Sequence, residues 1–157
     1  MENNIASWDV RIIRLFHETS LPAARIGLFV VFFWFGALKL LGLSPATPLV
    51  LALHDRLIPF ITFSTFYALF AGIECLIGIL FLIKGAERIV LPLLFLHMIT
   101  TFFPLFMTPE LVWQAPLVPT LEGQYIIKNL LLVAAAMGIA AHLHPMRYTS
   151  ATANIPE

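Results

Sequence analysis

Four apolar runs, each long enough to cross a lipid bilayer, fill most of the chain between residues 21 and 143. Crossing the hydrocarbon core takes about 20 helical residues, and every backbone polar group on the way must find its partner inside the protein. Runs of that length therefore fold as spanning helices, here expected at about residues 21–41, 65–83, 89–106 and 122–143. Composition points the same way. Only 11% of residues are charged and 60% are hydrophobic, against roughly 25% charged in a soluble domain, so much of the surface must face lipid. A formal net charge of zero gives no footing for nucleic acid. The first twenty residues are too polar for the apolar core of a signal peptide, so the first run is expected to stay in the protein.

The stretches between the runs have their own character. Ile5, Trp8, Ile12, Leu15 and Phe16 recur at helical spacing, with Arg11 and Arg14 among them, which predicts an interfacial helix over residues 5–18. Pro22 suits the first turn of the helix that follows. Residues 42–64 are broken by Pro45, Pro48 and Pro59 and by the cluster His54, Asp55, Arg56, so a short interfacial or re-entrant helix is expected at about 48–57. Gly72 and Gly78 would permit close approach of the second span. Pro104 interrupts the end of the third, where Thr100 or Thr101 is placed to satisfy the freed carbonyl. Residues 107–121 read as a loop punctuated by prolines, with Trp113 as an interface anchor. The expected fold is thus all-α, a single membrane domain over residues 1–157: an integral membrane four-helix bundle with an N-terminal interfacial helix and a short interfacial helix between spans one and two.

Basic residues set the orientation. Arg11, Arg14, Lys84, Arg88 and Arg147 gather on one side, with only Arg56 in the loops opposite, so both termini are expected in the cytoplasm. Depths then follow. Lys39 lies near the outer surface and Lys128 somewhat deeper, Glu122 and Gln124 sit at the outer mouth, and Glu74 and His97 lie near the midplane. Tyr125 and Asn129 share a stripe with Glu122. Isolated charges are costly at such depths, so a paired network in a polar cavity is expected, with Glu74 facing Lys39 or Lys128.

Each residue also has a plainer role open to it. Lys39 and Arg25 can snorkel to the headgroups. Glu122 can complement a helix N-terminus capped by Thr120, where Gly123 rules out a full capping box. His97 can be a core histidine, and Glu74 a protonated carboxyl bonded to a neighbour. No histidine, cysteine or aspartate stands at metal-ligand spacing with His97, and the lone Cys75 cannot form an intrachain disulfide.

The segments RIGLFVVFFWFGALKLLG, AGIECLIGILFLI, HMITTFFPLF and TLEGQYIIKNLLLV together resemble the DoxX-like family of small bacterial membrane proteins, over about residues 25–138. The resemblance rests most on the GxxKL end of the first span, on the glutamate with IG following in the second, and on EGQYIIKN. It implies a four-helix membrane bundle in the bacterial inner membrane and a link to quinones or to oxidative-stress defence. Its polar positions fall here on Lys39, Glu74, Glu122 and Lys128, while the single cysteine disfavours a dithiol mechanism.

The functional expectation is a redox-linked membrane subunit that binds a quinone or a similar apolar ring in the outer half of the bundle. Glu74 and His97 would handle protons, and Lys39, Lys128, Glu122, Gln124, Tyr125 and Asn129 would line the ligand. Whether it is an enzyme stays open, and the cofactor stays unnamed, with a quinone as the one these groups suit. Expected partners are the bilayer and either a redox protein or further copies of the chain. A non-catalytic scaffold subunit and a proton or small-solute transporter are the alternatives, and the transporter lacks a visible inverted repeat.

Overall fold

The computed structural model describes residues 2–144, with side chains from residue 8 onward; the C-terminal tail with Arg147 and the side chain of Ile5 lie outside the described residues. The protein is mostly helical. In order come α1 (Glu2–Leu40), α2 (Thr47–Leu57), α3 (Phe63–Leu82), α4 (Glu87–Phe102), α5 (Pro104–Met107) and α6 (Pro109–Val112). A small hairpin, β1 (Trp113–Ala115) and β2 (Val118–Pro119), leads into α7 (Leu121–Lys128) and α8 (Leu130–Ala140). Four stretches are long and apolar enough to cross a membrane: Trp8–Leu40, Phe63–Leu82, Glu87–Met107 and Leu121–Ala140. These are the marks of a multi-pass membrane protein.

Helix α1 differs from expectation. It runs 39 residues without a break, so the separate helix expected over residues 5–18 is the first half of one long element. Pro22 removes one backbone amide, but the turns before it carry side-chain donors. Thr19 Oγ1 donates to the Leu15 carbonyl at 2.7 Å and Ser20 Oγ to that of His17 at 3.4 Å. Residues 8–20 are exposed throughout.

The apolar core draws Leu28 and Phe32 from α1, Ile77 and Phe81 from α3, Leu91, Leu94 and Met98 from α4, and Ala136 and Ile139 from α8. Helix α1 packs most extensively on α3, and two glycines allow it. A Cβ on Gly36 would lie 2.7 Å from Cys75 Sγ and 2.9 Å from the Ala71 carbonyl oxygen, and one on Gly78 would lie 2.7 Å from the Phe33 nitrogen. Without side chains there, the backbones close together and dispersion contacts form along the whole seam. Gly72, also expected at a close approach, is exposed, with no atom within 4 Å of its would-be Cβ.

The proline-rich segment over residues 107–121 is more ordered than a loop. Pro109 starts the single turn α6. The hairpin turns at Pro116 and Leu117, whose φ is +62°. Trp113, half-buried, donates its indole N–H to the Leu105 carbonyl at 3.0 Å.

Candidate functional site

The close α1–α3 seam decides where the polar side chains go. Lys39 follows Gly36 by one helical turn and Glu74 precedes Gly78 by one, so both project along the face that the glycines bring together. Lys39 Nζ donates to Glu74 Oε2 at 2.6 Å, with the two side chains 7% and 8% exposed. The second carboxylate oxygen, Oε1, lies 3.3 Å from Nε2 of His97 on α4. Lys39, Glu74 and His97 are all buried. Of the two lysines expected near Glu74, Lys39 is the one in contact.

Aromatic rings enclose this cluster. The His97 ring lies 4.8 Å from that of Phe70 and 5.8 Å from the edge-on ring of Phe32. Lys39 Nζ stands 5.8 Å from the centroid of Phe70, a distance at which a cation is attracted to the ring face. Phe70 continues a ladder through Phe66, at 5.7 Å, to His54 of α2, at a further 5.3 Å. The backbone of His97 is bonded within its own helix. Its carbonyl accepts from Thr100 Oγ1 at 2.7 Å and from Thr101 Oγ1 at 3.3 Å. The carbonyl freed by Pro104 is that of Thr100, and it accepts the Phe103 amide at 3.3 Å. The threonine hydroxyls therefore serve carbonyls one turn back, at His97 and Met98, rather than the one that Pro104 frees.

Beside Lys39 the surface opens into a cleft of about 360 Å³, walled by Lys39, Thr47, Phe63, Ser64 and Tyr67 among others. Such a volume falls at the lower end of the range for small-molecule sites, roughly 300–1,000 Å³. Thr47 Oγ1 donates to the Ser44 carbonyl at 2.8 Å and lies 2.6 Å from the Tyr67 hydroxyl. Over the cleft, α2 is tied down by His54, whose Nε2 meets the Ile61 carbonyl at 2.8 Å. Arg56 reaches the Met107 carbonyl and the Glu110 carboxylate.

The polar opening of the fourth span stays apart from this cluster. Glu122, Gln124, Tyr125 and Lys128 are exposed and Asn129 is half-buried. Lys128 holds its ammonium 5.3 Å above the ring of Tyr125. Thr120 caps α7 by accepting the Gly123 amide at 3.1 Å, and Glu122 sits in the first turn, where a carboxylate complements the helix N-terminus. Asn129 is where the span breaks into α7 and α8. Arg25, expected to snorkel, instead pairs with Glu87 at the start of α4 and donates to the Phe81 carbonyl at 3.4 Å.

Sequence reasoning missed Phe70, Thr47 and Tyr67, and it left the close packing at Gly36 unread. Gly36 carried a readable signal, since it stands one turn before Lys39 on the same helix face. Thr47 and Tyr67 meet only through the return of α2 over α3, and no sequence spacing encodes that. No protein-family model, no curated protein and no solved structure matches this chain.

Proposed function

We propose that the chain is a four-helix bundle of the bacterial inner membrane, similar to the DoxX-like proteins, and that it binds a quinone-like ring as part of a redox-linked or oxidative-stress system. The observation that carries this reading is a buried Lys39–Glu74–His97 cluster bordering a cleft with an aromatic wall. A flat apolar ring gains stacking on Phe63 and Tyr67, themselves 4.9 Å apart, while the carboxylate and imidazole behind provide groups that exchange protons. With both termini in the cytoplasm, the cleft opens toward the outer face. Below the cluster come Ile77, Phe81, Leu91 and Leu94, all buried and apolar, so polar groups reach the cluster from one end. That arrangement favours binding over a path for ions across the membrane.

A scaffold subunit is the second reading, and the exposed first half of α1 favours it. Trp8, Ile13 and Phe16 there are 62%, 59% and 67% exposed and offer a partner redox protein or a second copy a helical face.

Mass spectrometry of small molecules retained through mild purification tests the first reading. It expects a co-purifying quinone and a rise in thermal midpoint when short-tailed quinones are added to stripped protein. Stripped, well-folded protein that no quinone stabilises would move the assignment to the scaffold.

A further inference from the structure

The hydrogen-bond capacity left over around the cleft narrows what the ligand can be. An ammonium has three protons and a hydroxyl has one. Thr47 gives its proton to the Ser44 carbonyl, so the short contact between Thr47 and Tyr67 must use the proton of Tyr67. Neither hydroxyl then has a donor to offer. Lys39 gives one proton to Glu74, and among the described residues its ammonium has no second hydrogen-bond acceptor. Lys39 lines the open cleft, and its buried ammonium, with one hydrogen bond to Glu74 and the Phe70 ring beside it, keeps N–H capacity that suits an oxygen.

Charge decides which kind of oxygen. Glu74 already balances Lys39, and the imidazole nearest the pair is turned to the same carboxylate. An anion placed there would be an uncompensated buried charge, whereas a carbonyl oxygen accepts a proton bond and adds no charge. We propose that the cleft is a receptor for an uncharged carbonyl on an apolar ring, with Lys39 as the donor that determines specificity, and that it discriminates against carboxylate and phosphate-bearing lipids. The proposal rests on the reading of this cleft as a ligand site and adds the atom it recognises.

Three molecules on one tricyclic frame test it without redox chemistry: fluorenone, fluorene and fluorene-9-carboxylate, titrated against the whole protein in nanodiscs and read by thermal midpoint. Fluorenone is expected to bind about tenfold or more tighter than fluorene, the ratio for one hydrogen bond from a charged donor, and tighter than the carboxylate. Tyr67→Phe should leave the fluorenone-to-fluorene ratio within about twofold, because its proton is already spent. The double variant Lys39→Met with Glu74→Gln removes both charges, so the fold survives, and should bring the ratio close to one. Equal binding of fluorenone and fluorene to the wild type, a carboxylate that binds tightest, or a ratio abolished by Tyr67→Phe would each overturn the proposal. Fluorenone binding in a protein that ignores quinones would keep the carbonyl site and remove the redox reading. Quinone binding with no carbonyl preference in the series would do the reverse, and a protein that binds none of them would lose both.

Discussion

Two ion pairs, one toward each end of the spans, use similar chemistry for different ends. Arg25–Glu87 joins α1 to the start of α4, and its guanidinium also reaches the last turn of α3 through the Phe81 carbonyl. It is a tie between three helices at their rim, with side chains 17% and 10% exposed. Lys39–Glu74 is buried more deeply, has an imidazole on the far oxygen, and has the Phe70 ring and a cleft beside its ammonium. The difference lies in burial and in what stands beside the cation. Arg25 divides its bonds between two helices and holds them together, whereas Lys39 makes its bond to Glu74 and lines a cleft that can take a ligand.

The comparison breaks most visibly at Lys39. Lys39→Met strands a buried carboxylate and should cost about 3–5 kcal/mol in unfolding free energy, measured by denaturant titration in detergent. Next comes the seam itself. Gly36→Val drives a side chain into Cys75 and the Ala71 carbonyl, and helices that cannot yield should lose about 3 kcal/mol together with the Lys39–Glu74 contact.

Arg25→Met sharpens the contrast. At a partly exposed rim the loss should be smaller, about 1–2 kcal/mol, between the values for buried and surface pairs. Its protein should still respond to fluorenone or quinone as the wild type does, which a ligand role for Arg25 would prevent. Smallest is Arg56→Ala, where the pair with Glu110 is about half exposed on both sides. Less than about 1 kcal/mol is expected, falling further as salt is raised, in thermal scans at low and high ionic strength.

The sequence carried the need of these residues for partners well and their rotation poorly. Apolar runs fix which segments cross a bilayer, and a short side chain such as Glu74 at mid-span cannot reach water, so a partner was legible. Depth alone left Lys39 and Lys128 equivalent. What separates them is the angle at which each helix faces its neighbour, set by Gly36 and Gly78 for Lys39 and by the break at Asn129 for Lys128. Arg25 and Glu87 also pair, but snorkelling offered the arginine an equally cheap solution. The continuity of α1 through Pro22 was hidden for a local reason, since proline reads equally well as the first turn of a new helix.

That Lys39 holds Glu74 is tested by a pair of double-variant cycles. Unfolding free energies are needed for Glu74→Gln, Lys39→Met, Lys128→Met and the two combinations with Glu74→Gln. Strong coupling is expected in the Lys39 cycle, with the double variant more stable than Lys39→Met alone, and additivity in the Lys128 cycle. Additive effects in the Lys39 cycle would contradict it.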